Sequence, residues 1–296
     1  MDSNTITRNY FDSILIESRL IDSDFPDMTF NLWGESFKTP IATAALSHLN
    51  GTHENGMTEL AKGAKNAGAL NFVGMESYAG ELDDLMTAGA KTVKIIKPLY
   101  DNDEIYKRIE HAKKLGVTAI GMDIDHAYGP CGKYDIVEGL KMHPKTKEEL
   151  KSFIECGGDL PFVIKGILSV DDALKCVEIG AKGIIISHHH GINPSSVAPL
   201  MVLPKIKKAV GEKITVFVDC SIESGVDAYK ALCLGADCVC VGRALMPPLK
   251  EKGSQGVTEK LEAMTGELSS VMARTGFCSL KELDDRCLYL PPLKAY

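Results

Sequence analysis

Eight short apolar segments recur along the chain of 296 residues, and each is followed by a stretch with the periodicity of an amphipathic helix. Continuous apolar strands that alternate with helices are typical of a parallel sheet covered on both faces. The stretch 169–180 illustrates the helices, because it begins with a potential N-cap serine, carries acids in its first turn and ends in glycine. The eight apolar segments are 40–46, 69–74, 92–97, 119–125, 161–165, 183–187, 215–219 and 238–242.

Eight strand–helix units predict an α/β fold, a (β/α)₈ TIM barrel, although a doubly wound open sheet has the same alternation. We expect one domain over residues 1–296, with the barrel at about residues 40–250. The stretch 29–38 predicts an N-terminal hairpin around Gly34 that caps the barrel floor. After the barrel, 257–275 predicts a long C-terminal helix, and a short one follows near 279–284.

The charge balance narrows the range of partners. The chain has 33 basic and 40 acidic side chains and a net charge of −7, which argues against nucleic-acid binding and against an anionic membrane surface. Its nine cysteines form no C-x-x-C pair, and the amino terminus has no apolar run behind a basic head. We therefore expect a cytoplasmic protein with reduced thiols.

In a barrel of this kind the chemistry takes place at the carboxyl ends of the strands. Polar residues follow most of the apolar segments, which predicts a polar rim. The candidates at these ends are Lys97, Asp123, Asp125, His126, Lys165, Ser187, His188, His189, His190, Asp219, Ser221, Gly242 and Arg243.

Lys165 lies within a strand pattern, where burial of an ammonium group is costly unless an anionic or electron-rich partner compensates. The alternative is a strand-end lysine whose ammonium group reaches solvent. The segment from Asp219 to Ser221, together with Gly242 and Arg243, predicts a phosphate site on the last two barrel loops. Glycine lets the backbone approach the anion, and arginine supplies charge and several donors.

Three consecutive histidines, His188, His189 and His190, form the most unusual motif. Consecutive side chains diverge at a strand end, so we expect no metal ion at this motif. An acid–base role for one histidine, oriented by Asp125, is the favoured interpretation. The alternatives are a rim or helix-capping hydrogen bond for Asp125 and ordinary surface exposure for His126.

Several motifs together resemble the FMN-dependent 2-hydroxy-acid oxidase and dehydrogenase family: Ile164-Lys-Gly-Ile-Leu168, Ser187-His-His-His-Gly191, Val218-Asp219 and Val241-Gly-Arg-Ala-Leu245. The resemblance implies an FMN oxidoreductase in which Lys165 stabilises the reduced flavin. It implies that His189 is the catalytic base and that Asp125 pairs with it. It places Asp219, Gly242 and Arg243 at the ribityl chain and phosphate, and we assign Ser187 and Ser221 to the same cofactor site. It also implies a homo-oligomer, and the tetramer that is common in the family is the expected assembly.

The departures from the family pattern concern the substrate. The arginine after the histidine motif is Ile192 here, the second carboxylate-binding arginine has no counterpart in 126–133, and a phosphate arginine is Glu223. We expect a hydroxylated small molecule that is not a simple 2-hydroxy acid. We expect it to be contacted by Lys97, His126, His188 or His190. The alternatives are a flavin-dependent isomerase without net redox and a flavin-binding partner or sensor without turnover.

Overall fold

The computed structural model describes residues 2–129 and 132–291, and its centre is a barrel of eight parallel strands. The strands are Ile41–Thr43 (β1), Asn71–Val73 (β2), Thr92–Ile96 (β3), Ala119–Asp123 (β4), Phe162–Ile167 (β5), Gly183–Ile186 (β6), Thr215–Val218 (β7) and Cys238–Val241 (β8). Hydrogen bonding runs in the order β1-β8-β7-β6-β5-β4-β3-β2, and the donation of Gly74 N–H to Leu46 O helps to close the gap between β1 and β2. The predicted (β/α)₈ barrel is confirmed.

Helices surround the strands, and the helix expected at 169–180 begins at its predicted N-cap serine. Ser169 accepts a hydrogen bond from the Asp172 backbone N–H at 3.0 Å and so starts the helix expected at 169–180. Thr146 and Glu149 form a reciprocal capping box. The helices are Ser3–Ser13 (α1), Gly56–Ala67 (α2), Glu81–Met86 (α3), Asn102–Lys114 (α4), Lys147–Gly157 (α5), Val170–Glu178 (α6), Pro199–Val210 (α7), Gly225–Cys233 (α8) and Met246–Arg274 (α9).

Apolar side chains fill the inside of the barrel, and the predicted hairpin covers its floor. The hairpin strands Phe30–Leu32 and Glu35–Phe37 pair around Gly34. Trp33 in the turn stacks on Phe217 of β7 with ring centroids 5.9 Å apart. Because this end is plugged by packed side chains, the opposite end, where the strands finish, remains for ligands.

The carboxy-terminal helix is longer than the periodicity predicts. α9 starts at Met246 rather than near 257, and the backbone leaves helical geometry at Gly253, where φ is 57°. The second part of α9 corresponds to the predicted helix 257–275. A single 3-10 turn, Leu280–Glu282, stands where a short helix was expected. None of the helices in the described ranges has both the length and the apolar character required to cross a bilayer.

The amino-terminal helix α1, which the sequence pattern did not reveal, packs beside the carboxyl end of β6. Thr7 Oγ1 lies 2.7 Å from His188 Nε2, and Ser3 Oγ donates to the Asn193 carbonyl at 2.9 Å. Lys230 Nζ of α8 donates to the Phe11 carbonyl at 2.7 Å. These contacts place the first residues of the chain against the three-histidine motif.

Candidate active site

A cavity of ≈ 230 Å³ opens at the carboxyl ends of the barrel strands. One wall is apolar, and charged or imidazole side chains stand at both ends, an arrangement typical of cofactor sites. Its apolar residues include Ala44, Ala45, Leu46, Ile222 and Ala244, and its ionisable side chains are Lys165, His189, His190, Asp219, Cys220, Glu223, Cys240 and Arg243.

Asp123, the last residue of β4, is the centre of a buried charge cluster. Only 3% of the residue is exposed, and its carboxylate accepts hydrogen bonds from Lys97 Nζ at 2.7 Å and Lys165 Nζ at 3.2 Å. Lys165 lies directly opposite Asp123 in the β4–β5 register. Burial opposes ionisation, but Lys165, His189 and Lys97 outweigh it and hold the pKa of Asp123 well below its usual value. Asp123 is therefore an anion that pairs with the buried Lys165 and the half-buried Lys97.

Lys165 is buried as the sequence predicts, and it has the anionic partners that its burial requires. Only 3% of the residue is exposed, and its ammonium group lies 3.9 Å from Asp219 as well as beside Asp123. Burial lowers the pKa of a lysine, but Asp123, Asp125 and Asp219 outweigh it, so the pKa of Lys165 is raised. The cavity therefore has a permanent positive charge at its inner end.

His189 is held by two carboxylates through a single ring nitrogen. Its Nδ1 lies 2.8 Å from Asp125 Oδ1 and 3.1 Å from Asp123 Oδ1. Burial and Lys165 lower the pKa of His189, but the two carboxylates outweigh them and raise it above its usual value. Lys165 Nζ lies 3.0 Å from the same nitrogen, but the two carboxylate oxygens can only accept, so we assign a proton to Nδ1. This leaves Nε2 as the atom that exchanges a proton.

Asp125 lies in the 3-10 turn after β4 and packs over the backbone of Gly166. Gly166 has φ +100°, and a Cβ there would lie 2.8 Å from Asp125 Oδ2. Asp125 Oδ2 is buried without a hydrogen-bond partner among the described residues. Burial and the neighbouring Asp123 raise the pKa of Asp125 to about 6. Neither Asp125 nor Asp123 caps a helix with its side chain.

Replacement of Gly166 by alanine should therefore displace Asp125 and loosen His189. We expect a loss of about 1–3 kcal/mol in the free energy of unfolding, because a non-glycine residue at this φ is strained and its Cβ meets the carboxyl group. Chemical denaturation measures the loss, and alanine at Gly116, which has φ +73° and open space around its Cβ, controls for backbone strain alone. Equal losses in the two variants would show that contact with Asp125 is unimportant.

A second histidine–aspartate pair meets the first. His126 Nε2 lies 3.1 Å from His189 Nε2, and the two rings stand nearly perpendicular at 85°. The other nitrogen of His126 lies 2.8 Å from Asp135 Oδ2. Burial, followed by Lys97 and His189, lowers the pKa of His126 to about 4. His126 is therefore neutral and donates Nδ1–H to Asp135, so its Nε2 can accept a hydrogen bond when His189 carries a proton at Nε2.

The three adjacent histidines face three different sets of partners. His188 is 1% exposed and lies between Thr7 and the Gly191 backbone N–H, away from the cavity. His189 faces the aspartates, and His190 lies at the cavity rim beside Arg243. Ser187 is also buried, and its Oγ accepts the His189 N–H at 3.0 Å, so it supports the backbone of His189.

The loop after β7 contains two residues with left-handed backbone although it lacks glycine. Cys220 and Ser221 both adopt left-handed conformations, with φ of 71° and 59°. Asp219, Gly242 and Arg243 complete the same side of the cavity. A buried cation at the inner end, an apolar wall and an arginine at the rim fit a flavin mononucleotide, which has a polarisable ring and one phosphate.

The same site contains atoms of metal-ligand type. Those of Asp123, His126 and His189 lie within 4.8 Å of one another. The Asp123 carboxylate, however, is already occupied by the ammonium groups of Lys97 and Lys165. A third cation at that carboxylate would be repelled, which disfavours a metal ion here.

The structure adds residues that sequence reasoning left out of the site. Asp123 was noted only as a strand-end residue, although a period of two places it on the same face of β4 as Ala119, which lies in the barrel interior. That alternation was the available signal. The sequence carries no comparable signal for Asp135 and Asn4, because their contacts with His126 and His190 arise from loop and helix packing.

Comparisons with known proteins agree with this site. A family model described as FMN-dependent dehydrogenase matches residues 2–156 and 148–290. The chain is 28% identical to an FMN-dependent alpha-hydroxy acid dehydrogenase of Schizosaccharomyces pombe, over 91% of this chain and 79% of that protein. It is 29% identical to glycolate oxidase of Spinacia oleracea, over 93% and 84%. A crystal structure of mandelate oxidase superposes with a TM-score of 0.87 at 26% identity, covering 98% of this chain and 90% of that chain.

Proposed function

This chain belongs to the family of FMN-dependent dehydrogenases that oxidise hydroxy acids, and we propose that its own substrate is a hydroxylated small molecule without the carboxylate of a simple 2-hydroxy acid. The observation that carries the proposal is the surroundings of His189. Two carboxylates orient this histidine beside the cavity. Among the described residues, no arginine makes a hydrogen bond or an ion pair with His189.

Carboxylate recognition generally relies on a free cation, most effectively an arginine that pairs through two hydrogen bonds. The cations near His189 are already engaged, because Lys97 and Lys165 share Asp123. His126 is neutral, and Ile192 offers no charge. A substrate carboxylate would have to compete with Asp123 for a buried lysine, and this disfavours glycolate and lactate.

The cofactor is FMN, and when bound it supplies the acceptor for the hydride equivalent that leaves the substrate carbon. Lys165 at the inner end and Arg243 at the rim are the residues that would hold it. His189 Nε2 accepts the proton of the substrate hydroxyl, and Asp125 and Asp123 stabilise the resulting imidazolium through Nδ1–H. His126 releases Nε2 of His189 as the hydroxyl enters, so we assign it to the substrate side of the site.

We further propose a cytoplasmic homo-oligomer, with a tetramer as the expected assembly. All eight cysteines in the described part of the chain are unpaired, as is usual in a reducing compartment. The resemblance to the oxidase family supports the assembly. Sedimentation analysis of the purified protein tests it, and a monomer at micromolar concentration would contradict it.

A flavin-reduction screen tests the substrate proposal. The purified protein should be yellow, and under anaerobic conditions glycolate, lactate and mandelate should bleach the flavin slowly or not at all, because a binding site that leaves a carboxylate unpaired discriminates strongly. Neutral diols, hydroxy amides and hydroxy esters form the other arm of the panel. Dithionite serves as the control that the bound flavin is reducible.

Rapid bleaching by any of the three hydroxy acids would contradict the proposal and return the protein to the ordinary hydroxy-acid oxidases. Product formation without bleaching or added acceptor would favour the isomerase alternative. A reducible flavin that no compound of either arm bleaches would favour a binding protein without turnover.

A further inference from the structure

His190 and Arg243 form a pair at the rim of the cavity. Arg243 Nη1 donates to His190 Nε2 at 3.0 Å, and both side chains line the cavity together with Ser221. The two residues come from different loops, one after β6 and one after β8. The cavity therefore has two nitrogen-bearing side chains that converge on one point of its rim.

The amino-terminal helix sets the direction of the His190 ring. Asn4 Oδ1 lies 2.6 Å from His190 Nδ1, and Asn4 Nδ2 donates to the His190 carbonyl at 3.0 Å. Since an amide oxygen only accepts, Nδ1 carries a proton and Nε2 faces Arg243. Asn4 Oδ1 also lies 3.4 Å from Arg243 Nη2, so one residue of α1 contacts both members of the pair.

The backbone at His190 is unfavourable for a histidine unless the side chain contributes something. Its φ is 56°, a left-handed conformation that glycine adopts without strain. A histidine here accepts a conformational penalty and places its ring beside Arg243.

Glu223 creates the need for a second donor. It lines the same cavity, where the family pattern has an arginine for the phosphate, and it brings a negative charge instead. Arg243 alone would then have to balance a phosphate that carries close to two negative charges. A second group that donates a hydrogen bond beside Arg243 offsets this loss.

We propose that His190, oriented by Asn4, is a ligand of the FMN phosphate together with Arg243. The proposal rests on the FMN binding of the proposed function. When the phosphate enters between the two side chains, His190 takes up a proton at Nε2. The imidazolium then donates through Nε2 to the phosphate and through Nδ1 to Asn4. This role differs from the substrate contact that the sequence suggested for His190.

Riboflavin, which lacks the phosphate, separates this role from any effect on the flavin ring. Flavin-free protein, prepared from the holoprotein, is titrated with FMN and with riboflavin, and flavin fluorescence reports binding. His190→Gly should raise the dissociation constant for FMN about tenfold or more, the scale of one charge-assisted hydrogen bond, and leave that for riboflavin unchanged. His190→Gln, which retains a donor, should fall between His190→Gly and the wild type. Asn4→Ala should show a smaller loss for FMN alone.

Glycine fits the left-handed backbone at residue 190, so the main variant is expected to fold. The matched control is His111→Gln, since His111 is exposed on α4 and pairs with Asp83. Unchanged FMN affinity in His190→Gly, or equal losses for FMN and riboflavin, would overturn the proposal that His190 binds the phosphate. Either result would leave the proposed function unaffected. Wild-type protein that binds neither flavin would overturn the proposed function as well.

Discussion

Replacing His189 by glutamine should slow the substrate-driven reduction of the flavin at least about 100-fold, the usual contribution of a positioned general base. Glutamine has no group that accepts a proton at neutral pH. The protein should remain yellow, because the substitution leaves Lys165, Arg243 and the loop at Cys220 and Ser221 in place around the cavity. Stopped-flow absorbance under anaerobic conditions measures the rate with any substrate that the screen identifies.

The pH dependence gives an independent check on His189. Its pKa is raised, so the wild-type rate should increase with pH as the imidazolium loses its proton. This rising limb should disappear in His189→Gln and persist in the exposed control His111→Gln. Asp125→Asn should slow reduction by a smaller factor, because Asp123 still contacts Nδ1. A fully active His189→Gln protein would move the role of proton acceptor to His126.

Replacing Asp123 by alanine should lower the free energy of unfolding by about 3–5 kcal/mol, the cost of breaking a buried ion pair by removing one partner. The substitution leaves Lys165 with Asp219 at 3.9 Å and leaves Lys97 without its carboxylate. Chemical denaturation of flavin-free protein measures the loss. Asp171→Ala removes an exposed partner of Lys175 and should change the stability by less than about 1 kcal/mol.

The sign of the pH effect follows from the lowered pKa of Asp123. A carboxyl group whose pKa is lower in the folded state stabilises the protein above its unfolded pKa of about 3.9. This contribution to the free energy of unfolding is lost only as the pH falls towards the pKa that Asp123 has in the folded state. The stability gap between wild type and Asp123→Ala should therefore persist from about pH 8 to 5, widening as His189 takes up a proton beside Asp123, and should narrow only in acid. A gap that closes between pH 7 and 5 would assign the stabilising ionisation to another group, with Asp125 as the first candidate because its pKa is about 6.

Local patterns were sufficient for the elements and for part of the site. Apolar runs mark buried strands because both faces of a parallel sheet are covered, so Arg243 was correctly located just after β8. Lys165 was expected at the end of β5, but the strand continues for two more residues. The helix α1 escaped notice because its apolar positions are few. α9 was placed too late because its first turns carry two prolines and several glycines.

The amino-acid sequence by itself determined the barrel, the end of it that carries the chemistry, and the residues Lys165, His189 and Arg243 as candidates. Periodicity and strand termination are local properties, so they can be read along one chain segment at a time. Only the tertiary structure decided that His189 contacts Asp123 as well as Asp125, and that its Nε2 meets His126. Only the tertiary structure decided that Asn4, 186 residues away, orients His190. Such partnerships depend on the left-handed backbone at His189 and His190 and on contacts between distant segments, which hydrophobic patterning does not encode.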